Sequence, residues 1–359
     1  KFGGIRLMAY STIPKGSLHM NPVIYTGNGG TQSITGVGFK PDMTWLKKRN
    51  GTANHHLVDA VRGVGYYVYP NLTNAQGGNG SALLTSFNTD GFTLDSGADS
   101  NASGATGVGW SWKAGNLSNG TGVSNTDGSI TSTVSANTTS GFSIVSYTGT
   151  GANATVGHGL GVAPKMIIVK NEDASVNWLV YHDSIPATNT LILNTTAASA
   201  SDNAWNSTDP TPNVFYIGVT GSGNGSGQGL IAYCFADIQG FSKMGSYTGN
   251  GNANGPFIYT GFKPSFVLWK RTEDAGYDWD LYDTARDTHN VAFKELIPNG
   301  SGAESSSTVL SLDILSNGFK LRTSNGNGND SGKPYIYMAF AENPFVATSG
   351  TNAIPVTAR

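Results

Sequence analysis

One short pattern occurs three times in this chain, and its repetition constrains the fold more than any other feature. Each copy has a Gly-x-x-Pro segment, with Tyr-Thr-Gly upstream of the proline and a lysine six residues after it. The prolines are Pro41, Pro164 and Pro264, and the lysines are Lys47, Lys170 and Lys270. A pattern that recurs along a chain belongs to a repeated structural unit. We therefore expect these residues to serve the fold, and any specific activity to lie where the copies differ.

The segment after each proline has apolar residues on both faces, within residues 43–46, 166–169 and 266–269. A strand with this pattern has to be covered on both faces, so it is either a central strand or part of a subunit contact. The last strand of each copy places apolar residues at alternate positions, at 108–112, 231–235 and 336–340. The sequence thus predicts an all-β protein of three tandem antiparallel β-sandwich-like repeat domains.

The repeated landmarks also predict where these domains begin and end. Residues 141–239 and 240–345 follow each other directly, whereas a Ser/Thr/Gly/Asn-rich stretch with few large apolar residues precedes them and is typical of a linker. The predicted organisation is an N-terminal extension (1–16), unit 1 (17–115), a linker (116–140), unit 2 (141–239), unit 3 (240–345) and a C-terminal tail (346–359).

The last two strands of each unit are predicted to pair as a hairpin, for example residues 92–94 with the strand that starts at Val108. The connecting loops are long and polar, and they span residues 96–106, 220–229 and 323–334. Loops of this kind on a rigid sheet often carry a binding surface. The candidate glycan contacts are Asp99, Asn224, Asn327 and Asp330, together with Trp205 as an exposed aromatic platform in a polar stretch.

Composition excludes several classes of partner. Charged residues make up 12% of the chain, against about 25% in an average soluble protein. The net charge of -2 and the lack of a basic cluster argue against nucleic-acid binding. No apolar run is long enough for membrane insertion, and a single cysteine, Cys234, excludes an intrachain disulfide framework.

The titratable residues do not form a recognisable catalytic or metal-binding pattern, so no catalytic residue, metal or cofactor is predicted. The six histidines are interpreted as ordinary surface or loop residues. A repeated aspartate at Asp59, Asp183 and Asp283 is followed three residues later by arginine in two copies, which predicts a structural ion pair. Retaining glycosidase chemistry would need a second carboxylate about 5 Å away.

Three stretches carry a resemblance to a known family: residues 157–170, 245–251 and 337–345. They resemble repeat-bearing virion structural proteins, often described as tail-fibre-like, of marine tailed bacteriophages. The resemblance implies an extracellular virion component and implies no catalytic residues. The predicted function is a non-enzymatic tail-fibre or surface-appendage protein that presents polar loops to a host-surface glycan. The expected partners are further copies of the chain, with a homotrimer as one option, and other virion proteins.

Two other functions stay open. A capsid decoration or filament-forming protein would have a mechanical role and need no glycan site. A carbohydrate depolymerase is the third option, and the sequence supports it least because no carboxylate pair is visible.

Overall fold

The computed structural model describes residues 11–78, 83–96, 99–115 and 122–344. Every pair of named strands within these residues is antiparallel, and the helices have only three or four residues. The predicted all-β, antiparallel fold class is confirmed. The predicted extension (1–16) is described only from Ser11, and the tail (346–359) lies outside the described residues.

Unit 1 contains a main sheet with the strand order β1-β9-β3-β4, an outer sheet with the order β2-β8-β7, and a short β5-β6 ribbon. Its 3-10 helices are Gly16–Leu18 and Asp99–Asn101. Its strands are β1 (Met20–Thr26), β2 (Gln32–Ile34), β3 (Met43–Lys48), β4 (His56–Asp59), β5 (Tyr66–Tyr67), β6 (Gly77–Gly78), β7 (Leu84–Asn88), β8 (Gly91–Leu94) and β9 (Thr106–Trp112).

Unit 2 lies within an eight-stranded sheet with the order β10-β11-β12-β19-β14-β15-β16-β17, and β13 pairs with β18 in a separate outer sheet. A four-residue helix, α1 (Gly221–Asn224), precedes the last strand. The strands are β10 (Val123–Asn125), β11 (Ser132–Asn137), β12 (Phe142–Thr148), β13 (Ala154–Gly157), β14 (Met166–Asn171), β15 (Leu179–His182), β16 (Asn189–Ile192), β17 (Ala200–Ser201), β18 (Val214–Ile217) and β19 (Gly229–Phe235).

Unit 3 contains a main sheet with the order β20-β26-β22-β23 and an outer sheet with the order β21-β25-β24. The helix α2 (Gly326–Asn329) precedes its last strand. The strands are β20 (Ser242–Thr248), β21 (Phe257–Tyr259), β22 (Phe262–Arg271), β23 (Trp279–Asp283), β24 (Leu312–Leu315), β25 (Gly318–Leu321) and β26 (Pro334–Pro344).

One four-strand order recurs in the three main sheets: β1-β9-β3-β4, β12-β19-β14-β15 and β20-β26-β22-β23. In each, the last strand of the unit lies between the first strand and the strand that follows the proline. Pro41 and Pro164 lie two residues before β3 and β14. Pro264 instead lies inside β22 at a register shift against β26, where a residue without an N–H is tolerated.

The predicted hairpins are wrong, because the last two strands of each unit lie in different sheets. β8, β18 and β25 belong to the outer sheets, and β9, β19 and β26 belong to the main sheets. Phe92 and Leu94 on β8 are buried in a cluster that also contains Leu46 and Val58 from the main sheet. This burial requires β8 to lie opposite the main sheet, and the loop with the short helix carries the chain from one layer to the other.

Residues 116–140 also differ from the linker that was expected. In the described part of this stretch, β10 and β11 extend the main sheet of unit 2, with β11 paired along β12. Ile130 and Val134 are buried in the core of unit 2. Short strands of Ser, Thr and a few β-branched residues suffice here because the sheet of unit 2 supplies the remaining apolar surface.

A central core lies where the three main sheets meet. Trp112 of unit 1 contacts Phe235 of unit 2 at 6.4 Å and Phe266 and Phe340 of unit 3 at 5.6 and 5.8 Å between ring centroids. The strands after the prolines therefore pack one face on this core and the other on their own outer sheet. The sequence predicted that these strands are covered on both faces, either as central strands or at a subunit contact. In the structure, residues of the same chain cover both faces.

Candidate functional site

The three repeated lysines join neighbouring units. Each ammonium group donates to a backbone carbonyl of another unit: Lys47 to Ser301 at 3.3 Å, Lys170 to Thr73 at 2.9 Å and Lys270 to Thr196 at 3.5 Å. Burial lowers the pKa of each lysine to about 8. Unit 1 thus contacts unit 3, unit 2 contacts unit 1, and unit 3 contacts unit 2. We call these contacts seams 1/3, 2/1 and 3/2, and together they close a ring.

Nitrogen atoms of three aromatic rings also form hydrogen bonds across these seams. Each ring belongs to the same unit as the lysine of its seam. Trp178 Nε1 donates to the carbonyl of Tyr69 at 2.9 Å, and Trp279 Nε1 donates to that of Ile192 at 3.0 Å. His55 Nε2 lies 3.0 Å from the carbonyl of Ile297. All three ring-bearing side chains are buried. Each seam therefore contains a lysine and a planar ring that satisfy carbonyls of the next unit.

Two of the repeated aspartates form the predicted ion pairs, and both pairs are buried. Asp59 accepts a hydrogen bond from Arg62 Nε at 2.6 Å. Asp283 binds Arg286 in the same way, with both side chains fully buried. Each aspartate also accepts from an aromatic side chain across a seam, since Tyr233 Oη donates to Asp59 and Trp110 Nε1 donates to Asp283, both at 2.8 Å. These carboxylates thus hold two units together.

The third aspartate, Asp183, differs from the other two. Its side chain is 43% exposed and pairs with Lys165 at 2.8 Å. Pro186 occupies the position of the arginine, and Met338 occupies the register position of Trp110 and Tyr233. A proline and a methionine cannot donate to a buried carboxylate, so seam 3/2 lacks this network in the described part of the chain.

Trp205 is not the exposed platform that the sequence predicted. Only 2% of its surface is exposed, and its ring packs on Tyr181 with 5.7 Å between centroids. It belongs to the core cluster of unit 2 together with Phe215. The polar residues around it made it resemble a surface tryptophan, but this irregular segment folds over the core and buries its one large ring.

Asn224 is also buried, and its side-chain amide forms hydrogen bonds to the backbone of its own unit. Its Oδ1 accepts from the backbone N–H of Thr150 at 2.7 Å, and its Nδ2 donates to the carbonyls of Ala152 and Gly218 at 2.6 and 2.8 Å. A buried amide with three partners has no capacity left for a glycan. The predicted glycan contact at Asn224 is therefore wrong.

Asparagines in the other units have the same role as Asn224. Asn329 Oδ1 accepts from the N–H of Asn250 at 2.7 Å, and Asn101 Nδ2 donates to the carbonyl of Gly30 at 2.6 Å. We call Asn101, Asn224 and Asn329 the pinning asparagines, because each holds the loop after Tyr-Thr-Gly against the short helix. Sequence reasoning missed them, although the pattern Asn-x-Ser-Gly starts at all three positions.

The other three candidate glycan residues lie at the surface. Asp99 is exposed, and Asn327 is partly exposed. The side chain of Asp330 is 45% exposed and pairs with the buried guanidinium of Arg271 at 3.0 Å. Asn327 and Asp330 lie together at helix α2 of unit 3, and Asp99 starts the second 3-10 helix of unit 1.

Four of the six histidines are buried: His55, His56, His158 and His182. His56 and His182 lie on strands β4 and β15, so the interpretation of the histidines as surface or loop residues is wrong for these two, whereas His55 and His158 lie in loops. Burial lowers the pKa of His56 and His182 to about 4. Histidines with pKa values this low are neutral at physiological pH and behave as packing residues with hydrogen-bonding edges.

Asp280 is a buried acid that the sequence analysis did not single out. It lies on β23 with no exposed surface. Burial raises its pKa well above the usual range, and the carboxyl of Glu295 raises it further. A raised carboxyl pKa can mark a catalytic acid. Because Asp280 has no accessible surface, it cannot reach a polymeric substrate, and it gives the depolymerase hypothesis no support.

The raised pKa of Asp280 predicts how stability depends on pH. The folded chain keeps this proton at pH values where an unfolded aspartate, with a pKa of about 3.9, has lost it. The free energy of unfolding therefore decreases as pH rises from about 4 towards the folded pKa. We expect Asp280→Asn, which cannot ionise, to raise this free energy more at pH 8 than at pH 4. Urea denaturation at pH 4 and pH 8 tests this, and an equal effect at both pH values would contradict it.

A cleft of about 530 Å³ lies at the junction of units 2 and 3. It lies between the turn that connects β19 to β20 and the turn that connects β21 to β22. Asp237 and Lys243 form an ion pair at its edge, with 25% and 43% of their side chains exposed. The lining residues are Asp237, Ile238, Gln239, Gly240, Ser242, Lys243, Tyr259, Thr260 and Gly261.

No three His, Cys, Asp or Glu side chains within residues 11–78, 83–96, 99–115 and 122–344 are grouped so that they could hold a metal ion. Within the same ranges, no helix has the length and apolar character needed to cross a membrane.

Comparison with known proteins gives a family and no characterised relative. No curated protein and no solved structure matches the chain. One family model matches residues 15–344, and this match includes all three units, the strands β10 and β11, and the cleft. The chain therefore belongs to the family described as domain of unknown function DUF7483.

Proposed function

We propose that this chain is a non-enzymatic structural protein of a bacteriophage virion, a tail-fibre or surface-appendage component that attaches to a host-surface glycan. In this proposal the three units are tandem β-sandwich-like repeat domains that close into one ring. The observation that carries it is the set of three seams around one core, in which the repeated lysines and two repeated aspartates are buried. The resemblance to virion proteins supports the location.

A structural role also accounts for the residues that the three copies share. The lysines, the pinning asparagines and two of the aspartates all have their polar atoms occupied by hydrogen bonds within the chain. Residues of an active site need polar atoms that are available to a substrate. The shared residues thus stabilise the ring of three units. This is expected for a structural protein that bears a load or presents a binding surface.

The proposal includes self-association, with a homotrimer as one option. The apolar strands after the prolines are covered within the chain, so a trimer would have to use another surface. One such surface is the edge strand β10, where Val123 is 69% exposed. Exposed strand edges pair readily with other strands. Sedimentation equilibrium of the purified chain measures the oligomeric state directly.

The location on the particle tests the proposal. We expect immunogold labelling of phage particles that carry this protein to place it on the tail or on a surface appendage. Labelling distributed over the capsid would favour the decoration role instead, for which the rigid ring is equally suited. A chain that never associates with particles, or one that releases oligosaccharides from host polysaccharide, would overturn the proposal.

A further inference from the structure

Two exposed aromatic side chains lie next to each other on the outer sheet of unit 3. Phe257 and Tyr259 on β21 are 45% and 56% exposed, and Ile258 between them is buried. Side chains at alternate positions of a strand share one face, so both rings lie on the solvent side of the outer sheet. β21 is an edge strand, since it pairs only with β25.

The other units have small or polar residues at these two positions. Ile258 pairs with Phe319 in the same way that Ile34 pairs with Phe92 in unit 1 and Val156 with Phe215 in unit 2. This register aligns the two aromatic residues with Ser33 and Thr35 in unit 1 and with Thr155 and Gly157 in unit 2.

The other two units also show that this face needs no aromatic residue to fold. In unit 1, the hydroxyl of Ser33 lies 3.1 Å from that of Thr93. In unit 2, strand β10 covers the position, and a side chain on Gly157 would collide with Asn125. Only unit 3 presents two rings to solvent here. Neighbouring exposed apolar side chains that the fold does not require mark a binding surface.

The cleft at the junction of units 2 and 3 extends from one of these rings. Tyr259 lines the cleft together with the Asp237–Lys243 ion pair. The ring offers a flat apolar surface, the carboxylate accepts hydrogen bonds, and the ammonium group donates them. Because the two charges neutralise each other, the cleft does not select for a strongly charged ligand. A pyranose has the matching chemistry, with an apolar C–H face and hydroxyl groups around its edge.

We propose that this cleft is a saccharide-binding site, in which Tyr259 stacks on the apolar face of a neutral hexose unit and Asp237 and Lys243 bind its hydroxyl groups. Phe257 extends the platform to a second sugar unit along β21. The inference deepens the proposed function and rests on its attachment role, because it identifies where the glycan binds.

The test is binding of the full chain to an array of neutral oligosaccharides, followed by titration of the best ligand. We expect Tyr259→Ala to weaken binding about ten-fold, which corresponds to about 1.4 kcal/mol. Asp237→Asn should weaken it as well, since the amide changes the hydrogen-bonding pattern. Tyr66→Ala is the matched control: Tyr66 is also an exposed aromatic residue, 36% exposed, but it lies in unit 1 away from the cleft. We expect this variant to bind like the native chain.

The outcomes separate this inference from the proposed function. Equal binding by the native chain and Tyr259→Ala would overturn the site. A chain that labels on virions but binds no saccharide on the array would also overturn the site, and it would leave the structural role in place. A chain that binds a saccharide through Tyr259 but never associates with particles would overturn the virion role and retain the site. Circular dichroism of each variant confirms that a loss of binding is not a loss of fold.

Discussion

Replacing Asp283 by alanine is expected to lower the free energy of unfolding by about 3–5 kcal/mol, the usual cost of removing one partner of a buried ion pair. The carboxylate lies between the guanidinium of Arg286 and the indole N–H of Trp110, which donates to it at 2.8 Å across seam 1/3. Without it, the fully buried guanidinium of Arg286 loses its closer counter-ion and keeps Glu304 at 3.3 Å. Urea denaturation of the purified variant measures the loss.

The same substitution at Asp183 is the matched control. Asp183 follows its proline as Asp283 does, but its side chain is 43% exposed and pairs with Lys165 at the surface. Exposed ion pairs contribute at most about 1 kcal/mol, so Asp183→Ala should change the free energy of unfolding very little. Equal losses in the two variants would show that the buried network does not hold seam 1/3 together.

A double variant distinguishes the contribution of the ion pair to stability from that of the side-chain volume. Replacing Asp283 by Leu and Arg286 by Met removes both charges and keeps most of the volume. Because the double variant removes the buried guanidinium together with the carboxylate that faces it, we expect it to be more stable than Asp283→Ala. If it is less stable, the remaining partners of Arg286, which include the carbonyl of Leu281 at 2.9 Å, matter more than its charge.

The sequence predicts the strands of this fold better than it predicts their arrangement. The apolar stretch after each proline correctly indicates a strand buried on both faces, because burial depends on the residues of that strand alone. It does not reveal which layer provides the cover. Trp112 contacts rings from two other units, and an interface between units of one chain leaves the same apolar signature as an interface between subunits.

The candidate site residues were less predictable, for a related reason. Polar neighbours suggested that Trp205 and Asn224 are accessible, yet both are buried by segments that are distant in sequence. Comparing the three copies would have found the pinning asparagines, since Asn-x-Ser-Gly starts five residues before the last strand of each copy. The same comparison identifies Tyr259 as a departure from the pattern, and this residue lies at the surface.

The second large effect is expected at a pinning asparagine. Asn329→Ala should lower the free energy of unfolding by about 3 kcal/mol, because it leaves one buried and two partly buried backbone groups without their partners, and a buried group alone costs about 1–3 kcal/mol. The amide of Asn329 accepts from the N–H of Asn250 at 2.7 Å and donates to the carbonyls of Asn252 and Thr323 at 2.8 and 2.6 Å. Thermal and urea unfolding both report the loss.

Asn327 provides the control within the same short helix. It is partly exposed, and the bond that caps the helix uses its backbone N–H, which alanine retains. Asn327→Ala should therefore change the unfolding free energy by less than about 0.5 kcal/mol, as for most surface substitutions. Hydrogen exchange adds a local measurement: in Asn329→Ala the amide of Asn250 should exchange faster than in the native chain, and in Asn327→Ala it should not. Unchanged protection of Asn250 in Asn329→Ala would mean that the loop is held by the backbone bond from Gly251 to the carbonyl of residue 329, which survives the substitution.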